Sequence, residues 1–420
     1  MAFWRRIWSR EEEAVLAACT ALDIGTEFAK ALVFEMDAAG HGVVRGVGRK
    51  RQGLAHMQSG TVTDIGAVVD NCSVALEEAE EMAGFRPTQC VVGIAGELVK
   101  GFTTARSLER RRADTPITDQ ELQKLIDEVQ REALRQAERS ITWETGMPQV
   151  DVRLVHAAVT GAQIDGYPVT NPVGFKGRHV KISIFNAFAP LVHLGALQSV
   201  AEQLDLELLE IVAEPYAVAR VLASEQVQAA GALFIDVGGG TTDVALVRHG
   251  GIEGTRMFAL GGRAFTKSIA DQMEMPFPRA EEIKLDYARG VVVPRRDEVA
   301  RIVADDVAIW AAGVELVMEE LAEGDLLPSR IYMCGGGSRL PEIPNVLREE
   351  SFWRRLPFSR APEVVEMDPG QVERIEDATG LLVDQQDVTP MGLAYQAIEL
   401  QTTEDPLDVA LRKVLRALKM

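Results

Sequence analysis

Two short stretches of the sequence combine acidic residues, glycines and threonines in a pattern suited to holding a phosphate chain. In the first, Asp23 ends an apolar run and leads into Gly25 and Thr26. In the second, another apolar run leads into a longer turn, made of Asp236, Gly238, Gly239, Gly240, Thr241 and Thr242. Glycines leave no Cβ in such turns, so backbone N–H groups can approach an anion. The stretches match each other at a spacing of 213 residues (236 minus 23), which predicts two similar halves facing one nucleotide.

The residue types in these turns indicate a magnesium–phosphate site. Carboxylates cannot bind phosphate directly, but a hydrated divalent cation can lie between them and the phosphates. We therefore expect Asp23 and Asp236 to position Mg²⁺ through water. We expect the loop threonines to hold phosphate oxygens, and Lys30 is a candidate for charge stabilisation, because phosphoryl transfer needs positioning and charge neutralisation. A plain glycine-rich hairpin turn is the alternative interpretation of the second stretch.

A third stretch completes the pattern. Residues 331–334 read as a strand, and it ends in Gly335, Gly336, Gly337 and Ser338. Glycines at a strand end let the backbone approach a flat ligand, and adenine with its ribose is the ligand expected here. The stretch is weak evidence alone. The ordered triple, with Glu214 and Pro215 between the first two members, is a strong signal.

With these motifs in this order, the sequence resembles the FtsA family of bacterial cell-division proteins, within the actin-like ATPase superfamily. Residues 23–26 and 236–243 resemble the two phosphate motifs, and residues 335–338 resemble the adenosine motif. Residues 214–219 and 390–394 resemble the two connections between the halves. The resemblance implies an α/β, actin-like fold of the duplicated ribonuclease-H-like type, with two halves around a nucleotide cleft and an FtsA-type inserted subdomain.

The resemblance also assigns roles to individual residues. It places Glu214 where members of the superfamily orient the attacking water. It places Glu281 and Lys284 near the base and ribose, although the same stretch also fits an ordinary surface helix. ATP and Mg²⁺ are the implied cofactors, and hydrolysis is expected to be slow and to act as a switch.

The function implied by the resemblance is that of a cytoskeletal tether. Such a protein binds ATP, polymerises and attaches the FtsZ ring to the inner face of the cytoplasmic membrane at the division site. Its partners would be FtsZ, further copies of itself, an anionic membrane surface and other divisome proteins. The alternatives on the same fold are a sugar or metabolite kinase, and a pilus-assembly ATPase of the PilM type.

Composition narrows the partners and the compartment. The formal net charge of −19 argues against nucleic-acid binding through the body of the protein. The four cysteines lie far apart and are typical of a reducing cytoplasm. No apolar run reaches the length of a membrane-spanning helix, and the N-terminus has no apolar core of the signal-peptide type.

Seven segments follow from the motifs and from changes in composition. The first actin-like half takes residues 17–87, 178–226 and 386–400, and an inserted αβ subdomain takes 88–177. The second half takes 227–263 and 300–385, with a small subdomain at 264–299. An N-terminal basic and aromatic tail (1–16), a linker (401–404) and a C-terminal helix (405–420) complete the chain.

The C-terminal residues have the pattern of an amphipathic helix that lies in a membrane surface. The predicted membrane-facing and flanking basic residues are Leu407, Leu411, Arg412, Lys413, Val414, Leu415, Arg416, Leu418 and Lys419. The alternative is a helix that packs on its own protein or on a partner. Residues 1–10, with two tryptophans and three arginines, are a second candidate for membrane contact; a tail that docks on its own domain or stays disordered is the alternative there.

Overall fold

The computed structural model describes residues 15–402, except 38, 148–149, 223–226, 228–229 and 249, together with residues 407, 409–411 and 414. The predicted membrane contacts at 1–10, and those at Arg412, Lys413, Leu415, Arg416, Leu418 and Lys419, therefore lie outside the described residues. None of the described helices is both long enough and apolar enough to cross a membrane.

The first half is built on a six-stranded sheet, with strand order β11-β6-β1-β2-β3-β17. Strands β1, β2 and β3 form an antiparallel meander, and β6 and β11 extend it in parallel. A two-stranded ribbon, β4–β5, stands apart. The strands are β1 (Val15–Ile24), β2 (Phe28–Asp37), β3 (Gly42–Arg51), β4 (Met57–Gln58), β5 (Thr61–Val62), β6 (Gln89–Ile94), β11 (Glu207–Ala213) and β17 (Ile375–Asp377).

The second half repeats this arrangement. Its strands have the order β14-β13-β12-β15-β16, again an antiparallel meander followed by two parallel strands. The shared order confirms the predicted duplicated, actin-like fold. The strands are β12 (Ala232–Val237), β13 (Thr242–Arg248), β14 (Gly251–Phe258), β15 (Arg330–Cys334) and β16 (Glu363–Glu366).

Ten described helices cover the two sheets. Helices α1 and α3 lie on one face of the first sheet, whereas α4 and α10 lie between the halves in a core shared by both sheets. Trp310 on α7 is fully buried in the core of the second half. The helices are α1 (Ile65–Ala83), α2 (Asp119–Thr145), α3 (Leu191–Gln203), α4 (Glu214–Arg220), α5 (Gly262–Gln272), α6 (Phe277–Ala288), α7 (Arg296–Ala322), α8 (Glu342–Arg348), α9 (Glu350–Trp353) and α10 (Val388–Thr402).

Local signals in the sequence explain where several helices begin and end. The predicted capping box before α2 is present: the Thr118 hydroxyl accepts from the Glu121 N–H, and the Glu121 carboxylate accepts from the Thr118 N–H. Helix α1 ends at Gly84, whose φ of 80° is in the left-handed region that favours glycine. Each cap satisfies backbone groups that a helix end would otherwise leave unpaired.

The inserted subdomain differs from the prediction at both of its boundaries. Strand β6, assigned to the insertion by the 88–177 boundary, lies inside the first sheet between β1 and β11. The insertion instead runs from β7 (Lys100–Glu109) through α2, β8 (Val152–Ile164) and β9 (Tyr167–Pro168) to β10 (His179–Pro190). Because β10 pairs along its length with β7 and β8, its residues cannot belong to the first half.

The insertion is also joined to the second half. Strand β7 pairs with β14 at Phe102–Gly254 and Gly101–Thr255. A side chain at Gly101 would meet the Thr255 hydroxyl at 2.1 Å, so this close strand contact depends on glycine. The four strands of the insertion thereby extend the second sheet, which has nine strands among the described residues.

Candidate functional site

The two predicted phosphate turns have the same backbone geometry. In the first, the Gly25 N–H donates to the Phe28 carbonyl at 3.0 Å; in the second, the Gly238 N–H donates to the Thr241 carbonyl at 2.9 Å. The register places Lys30 opposite Asp23, just as Asp243 lies opposite Asp236. The equivalent strand position therefore carries a cation in one half and an anion in the other.

The two turns face each other across a cleft between the halves. The space free of protein atoms between them is about 970 Å³, part of it open to solvent. The cleft brings together most of the predicted site residues. Those lining it are Asp23, Gly25, Thr26, Lys30, Glu214, Asp236, Gly238, Gly239, Gly240, Thr241, Glu281, Lys284, Gly335, Gly336 and Gly337.

The cation and anions at the floor of the cleft are held by the second connection between the halves. The Lys30 ammonium lies 3.2 Å from the Asp23 carboxylate and donates to the Gln386 carbonyl at 2.6 Å. On the other side, the Thr389 hydroxyl donates to Asp236 Oδ2 at 2.6 Å. Sequence reasoning missed Gln386 and Thr389, although Thr389 immediately precedes the recognised connection motif at 390–394.

Two further buried carboxyl groups, those of Glu214 and Asp243, lie beyond this pairing. Burial raises the pKa of Glu214 well above its ordinary value, and the carboxylates of Asp23, Asp243 and Asp236 raise it further. Burial also raises the pKa of Asp243, and the Asp236 carboxylate adds to that effect. Asp243 Oδ1 is buried without a hydrogen-bond partner. Such a cluster is suited to a cation that would relieve the repulsion.

The pKa of Asp236 shows two opposed effects. Burial raises it, and the hydrogen bond from the Thr389 hydroxyl lowers it in part. A hydroxyl that donates to a carboxylate favours the charged form. Thr389 thus acts on Asp236 by positioning it and supporting its ionisation.

The Glu214 side chain reaches the cleft because the residue beneath it on the neighbouring strand β6 is Gly93, which has no side chain. A Cβ at Gly93 on β6 would lie 2.7 Å from Glu214 Oε1. Glu214 is the first residue of α4, directly after β11, so the connection between the halves carries its carboxylate to the floor. Gly93 is a residue that the sequence alone did not single out.

The glycine turn after β15 closes the cleft on the side predicted for adenosine. Gly335 has a φ of 81°, and a Cβ there would lie 2.1 Å from Asp236 Oδ1. Ser338 does not line the cleft as expected. Its hydroxyl lies 2.7 Å from the Gly335 carbonyl and 2.9 Å from Gln385 Oε1, so it supports the turn from behind.

Glu281 and Lys284 lie at the cleft, although a surface helix was the alternative. Both are buried on α6, and the Lys284 ammonium donates to the Gly262 carbonyl and the Thr266 hydroxyl, each at 2.8 Å. The Glu281 carboxylate lies 2.9 Å from the same ammonium. These contacts tie α6 to the start of α5 beside the second turn.

The predicted phosphate contact by Thr242 is wrong. The Thr242 hydroxyl is fully buried, donates to the Leu260 carbonyl at 2.7 Å and accepts from the Trp310 indole N–H at 2.9 Å. Thr241 lines the cleft, whereas Thr242 starts β13 and faces the core. Because the Thr242 hydroxyl makes these two hydrogen bonds inside the core, it does not reach the cleft.

An ion pair crosses the mouth of the cleft. Arg263, near the start of α5, lies 2.7 Å from Glu27 in the first turn and donates to the Gln52 carbonyl at 3.3 Å. Arg51 pairs with the other oxygen of Glu27 at 2.6 Å. The sequence alone did not single out Glu27 or Arg263, because nothing local reveals a contact that spans 236 residues.

The arrangement fits a nucleotide with its metal ion. Two glycine turns, an unpartnered buried carboxylate oxygen at Asp243 and a glycine wall at 335–337 share one cleft. Among the described residues, no three acidic, histidine or cysteine side chains converge as a metal site made by protein alone would require.

Comparison with known proteins gives a consistent family. A family model described as "Cell division protein FtsA" matches residues 233–377. The chain is similar to cell division protein FtsA of Pseudomonas aeruginosa, at 27% identity over 79% of this chain and 80% of that protein. It is also similar to the proteins of that name from Streptococcus pneumoniae, at 24% over 79% and 73%, and Bacillus subtilis, at 25% over 78% and 76%.

Solved structures share the fold at lower identity. A chain of the PilM–PilN type IV pilus biogenesis complex superposes with a TM-score of 0.61 and 16% identity, covering 91% of this chain and 98% of that one. MreB5 of Spiroplasma citri bound to AMPPNP gives a TM-score of 0.50 and 14% identity, covering 94% and 99%. At these identities the two structures support the actin-like fold and nothing finer.

Proposed function

We propose that this chain, which is similar to FtsA proteins, is a member of that family within the actin-like superfamily, binds ATP with Mg²⁺, polymerises and attaches the FtsZ ring to the inner face of the cytoplasmic membrane. The observation that carries the proposal is the cleft, where both phosphate turns, the glycine wall and a buried acidic cluster meet. A family likeness to FtsA supports the cell-division role.

In the proposed complex, backbone N–H groups of the two turns hold phosphate oxygens, assisted by Thr26 and Thr241. Asp23, Asp236 and Asp243 would hold Mg²⁺ through water, and the ion would supply charge neutralisation at the phosphates. Glu214 orients the attacking water from the floor of the cleft. Lys30 is already paired with Asp23, so the first half contributes one cation to a site that is otherwise strongly acidic.

Attachment is tested by co-sedimentation with vesicles of equal phosphatidylglycerol and phosphatidylcholine. FtsZ alone is expected to stay in the supernatant and to pellet when the wild-type chain and Mg-ATP are added. The Gly239→Val variant, with its phosphate turn blocked, should carry little FtsZ to the vesicles. The tether proposal is wrong if FtsZ remains in the supernatant while the wild-type chain binds ATP; transfer of phosphate to a sugar would favour the kinase alternative.

We further propose that the insertion makes the head-to-tail contact of the filament. Its edge strand β9 carries Tyr167, 75% exposed, and the loop after β9 carries Phe175, 53% exposed. Large exposed apolar groups are suited to protein contacts. Tyr167→Asp should remove filaments from electron micrographs while the ATP-dependent rise in melting temperature persists. Filaments of normal length and number from this variant would exclude Tyr167 from the contact.

A further inference from the structure

Among the described C-terminal residues, Leu407, Leu411 and Val414, which are predicted to enter a membrane, pack against the insertion. Leu407 is 4% exposed, Ala410 9% and Leu411 2%. They share one hydrophobic core with the insertion, and Val414 packs against it. The spacing of i, i+3, i+4 and i+7 places these residues on one face of a helix, which is the face that the sequence assigns to lipid.

The surface that receives this face is defined by three elements of the insertion. Strand β10 contributes Val180, Ile182 and Ile184, which alternate with the outward-facing Lys181 and Ser183. The rest of the docking surface comes from β8 and from α2 with the loop before it. Its members are Ala162 and Ile164 on β8, and Ile117, Leu122, Leu125, Ile126 and Val129.

The segment that occupies the docking surface is the C-terminal part of the same chain. Helix α10 ends at Thr402, and the four residues 403–406 separate it from Leu407, so the two Cα atoms are at most about 18 Å apart along an extended chain. The described C-terminal residues (407, 409–411 and 414) are therefore tethered next to the docking surface, where intramolecular binding has a high effective concentration.

We propose that the insertion is a receptor for the chain's own C-terminal helix and that docking there excludes membrane binding. One apolar face cannot lie in the core of the insertion and in a lipid surface at once. Burial of a leucine or valine side chain is favourable in either place by the same hydrophobic effect. The proposal rests on the membrane attachment proposed above, to which it adds a closed state that hides the anchor.

The closed state sets how strongly a single copy binds lipid. The apparent affinity for lipid is the intrinsic affinity multiplied by the fraction of molecules in the open state. If roughly nine-tenths of the molecules are closed, opening all of them would raise the apparent affinity by about tenfold. Partners that occupy the docking surface, neighbouring copies included, would open the chain and favour attachment.

The experiment changes the docking surface and leaves the C-terminal residues intact. Val159 on β8 is half-buried and packs against the docking surface. In the full chain, Val159→Glu should lower by several-fold the lipid concentration needed for half-binding to vesicles of equal phosphatidylglycerol and phosphatidylcholine. Addition of Leu411→Glu should cancel that gain, and the control Val292→Glu, at a site 88% exposed on another surface, should bind as wild type does.

Hydrogen exchange without lipid tests the docking of the C-terminal residues separately from membrane attachment. The amides of residues 409–411 should be protected in the wild type and exchange rapidly in Val159→Glu. Unprotected amides in the wild type would overturn the docking surface whatever the vesicles show. Equal vesicle binding by wild type and Val159→Glu would overturn the competition and leave membrane attachment standing. Protected amides with no vesicle binding by either protein would overturn the attachment itself.

Discussion

ATP with Mg²⁺ is expected to raise the melting temperature of the wild-type chain, and the Gly239→Val variant is expected to show no rise. A ligand present at 100 times its dissociation constant stabilises the folded state by about 2.7 kcal/mol. A Cβ at position 239 would lie 2.8 Å from the Glu27 Cβ. Valine there fills the space between the two turns, so the backbone N–H groups can no longer close on phosphate.

Gly161→Val provides the matched control. Gly161 lies in β8 of the insertion, where a Cβ would meet open space and the backbone is not left-handed, and valine favours strands. This variant should keep the ATP-dependent rise. A wild-type chain that shows neither a rise nor a heat of binding by calorimetry would contradict the nucleotide site as a whole.

The phosphate turns were predictable because their information is local. An acidic strand end followed by glycines needs nothing distant to be recognised, and the repeat at 23 and 236 ties the two turns together. Both turns have the same hydrogen bond, from Gly25 to Phe28 and from Gly238 to Thr241. The duplicated fold followed from the same repeat.

Long-range contacts were not predictable. Thr389 reaches Asp236 across 153 residues, and Lys30 reaches Gln386 across 356. Neither residue type identifies its partner until the fold brings them together. Thr242 was misassigned for a different reason, since the alternation of a strand sends it into the core beside Trp310.

The C-terminal residues show how much an amphipathic pattern can predict about the surroundings of a helix. An apolar stripe at helical spacing predicts that one face is buried, but it does not identify what buries it. In the structure, Leu407 and Leu411 meet the insertion, which is the alternative left open by the sequence. The membrane attachment proposed above would therefore need a second conformation, in which this face is released.

Glu214→Gln is expected to slow ATP hydrolysis by about 10²- to 10⁴-fold, the usual contribution of a positioned acid–base group. Glutamine keeps the shape of the side chain over Gly93 but cannot accept a proton from the attacking water. ATP binding should persist, because the phosphate turns are unchanged. The measurement is phosphate release under single-turnover conditions, with the melting-temperature rise recorded on the same sample.

The same substitution should stabilise the ATP-free and Mg²⁺-free protein, and increasingly so as the pH rises. The native pKa of Glu214 is raised by burial and by its carboxylate neighbours. A group whose native pKa lies above its unfolded value, about 4.3 for Glu, contributes stability below that value and loses it as the pH rises through the native pKa. Glutamine does not titrate. The variant should therefore have the larger free energy of unfolding once the pH is above the native pKa, by about 1.4 kcal/mol for each unit by which folding raises that pKa.

Unfolding of both proteins between pH 4 and 8 tests this sign, with Glu81→Gln on the exposed side of α1 as the control expected to follow wild type. A variant that is less stable than wild type at pH 8 would show that the buried carboxylate is not repelled by Asp23, Asp236 and Asp243. Normal hydrolysis by Glu214→Gln would remove it from the catalytic step. The hydrolysis rate and the pH dependence of unfolding together distinguish two roles for Glu214. A residue needed for hydrolysis would lower stability and raise the rate, whereas one that only fills the floor of the cleft would not affect the rate.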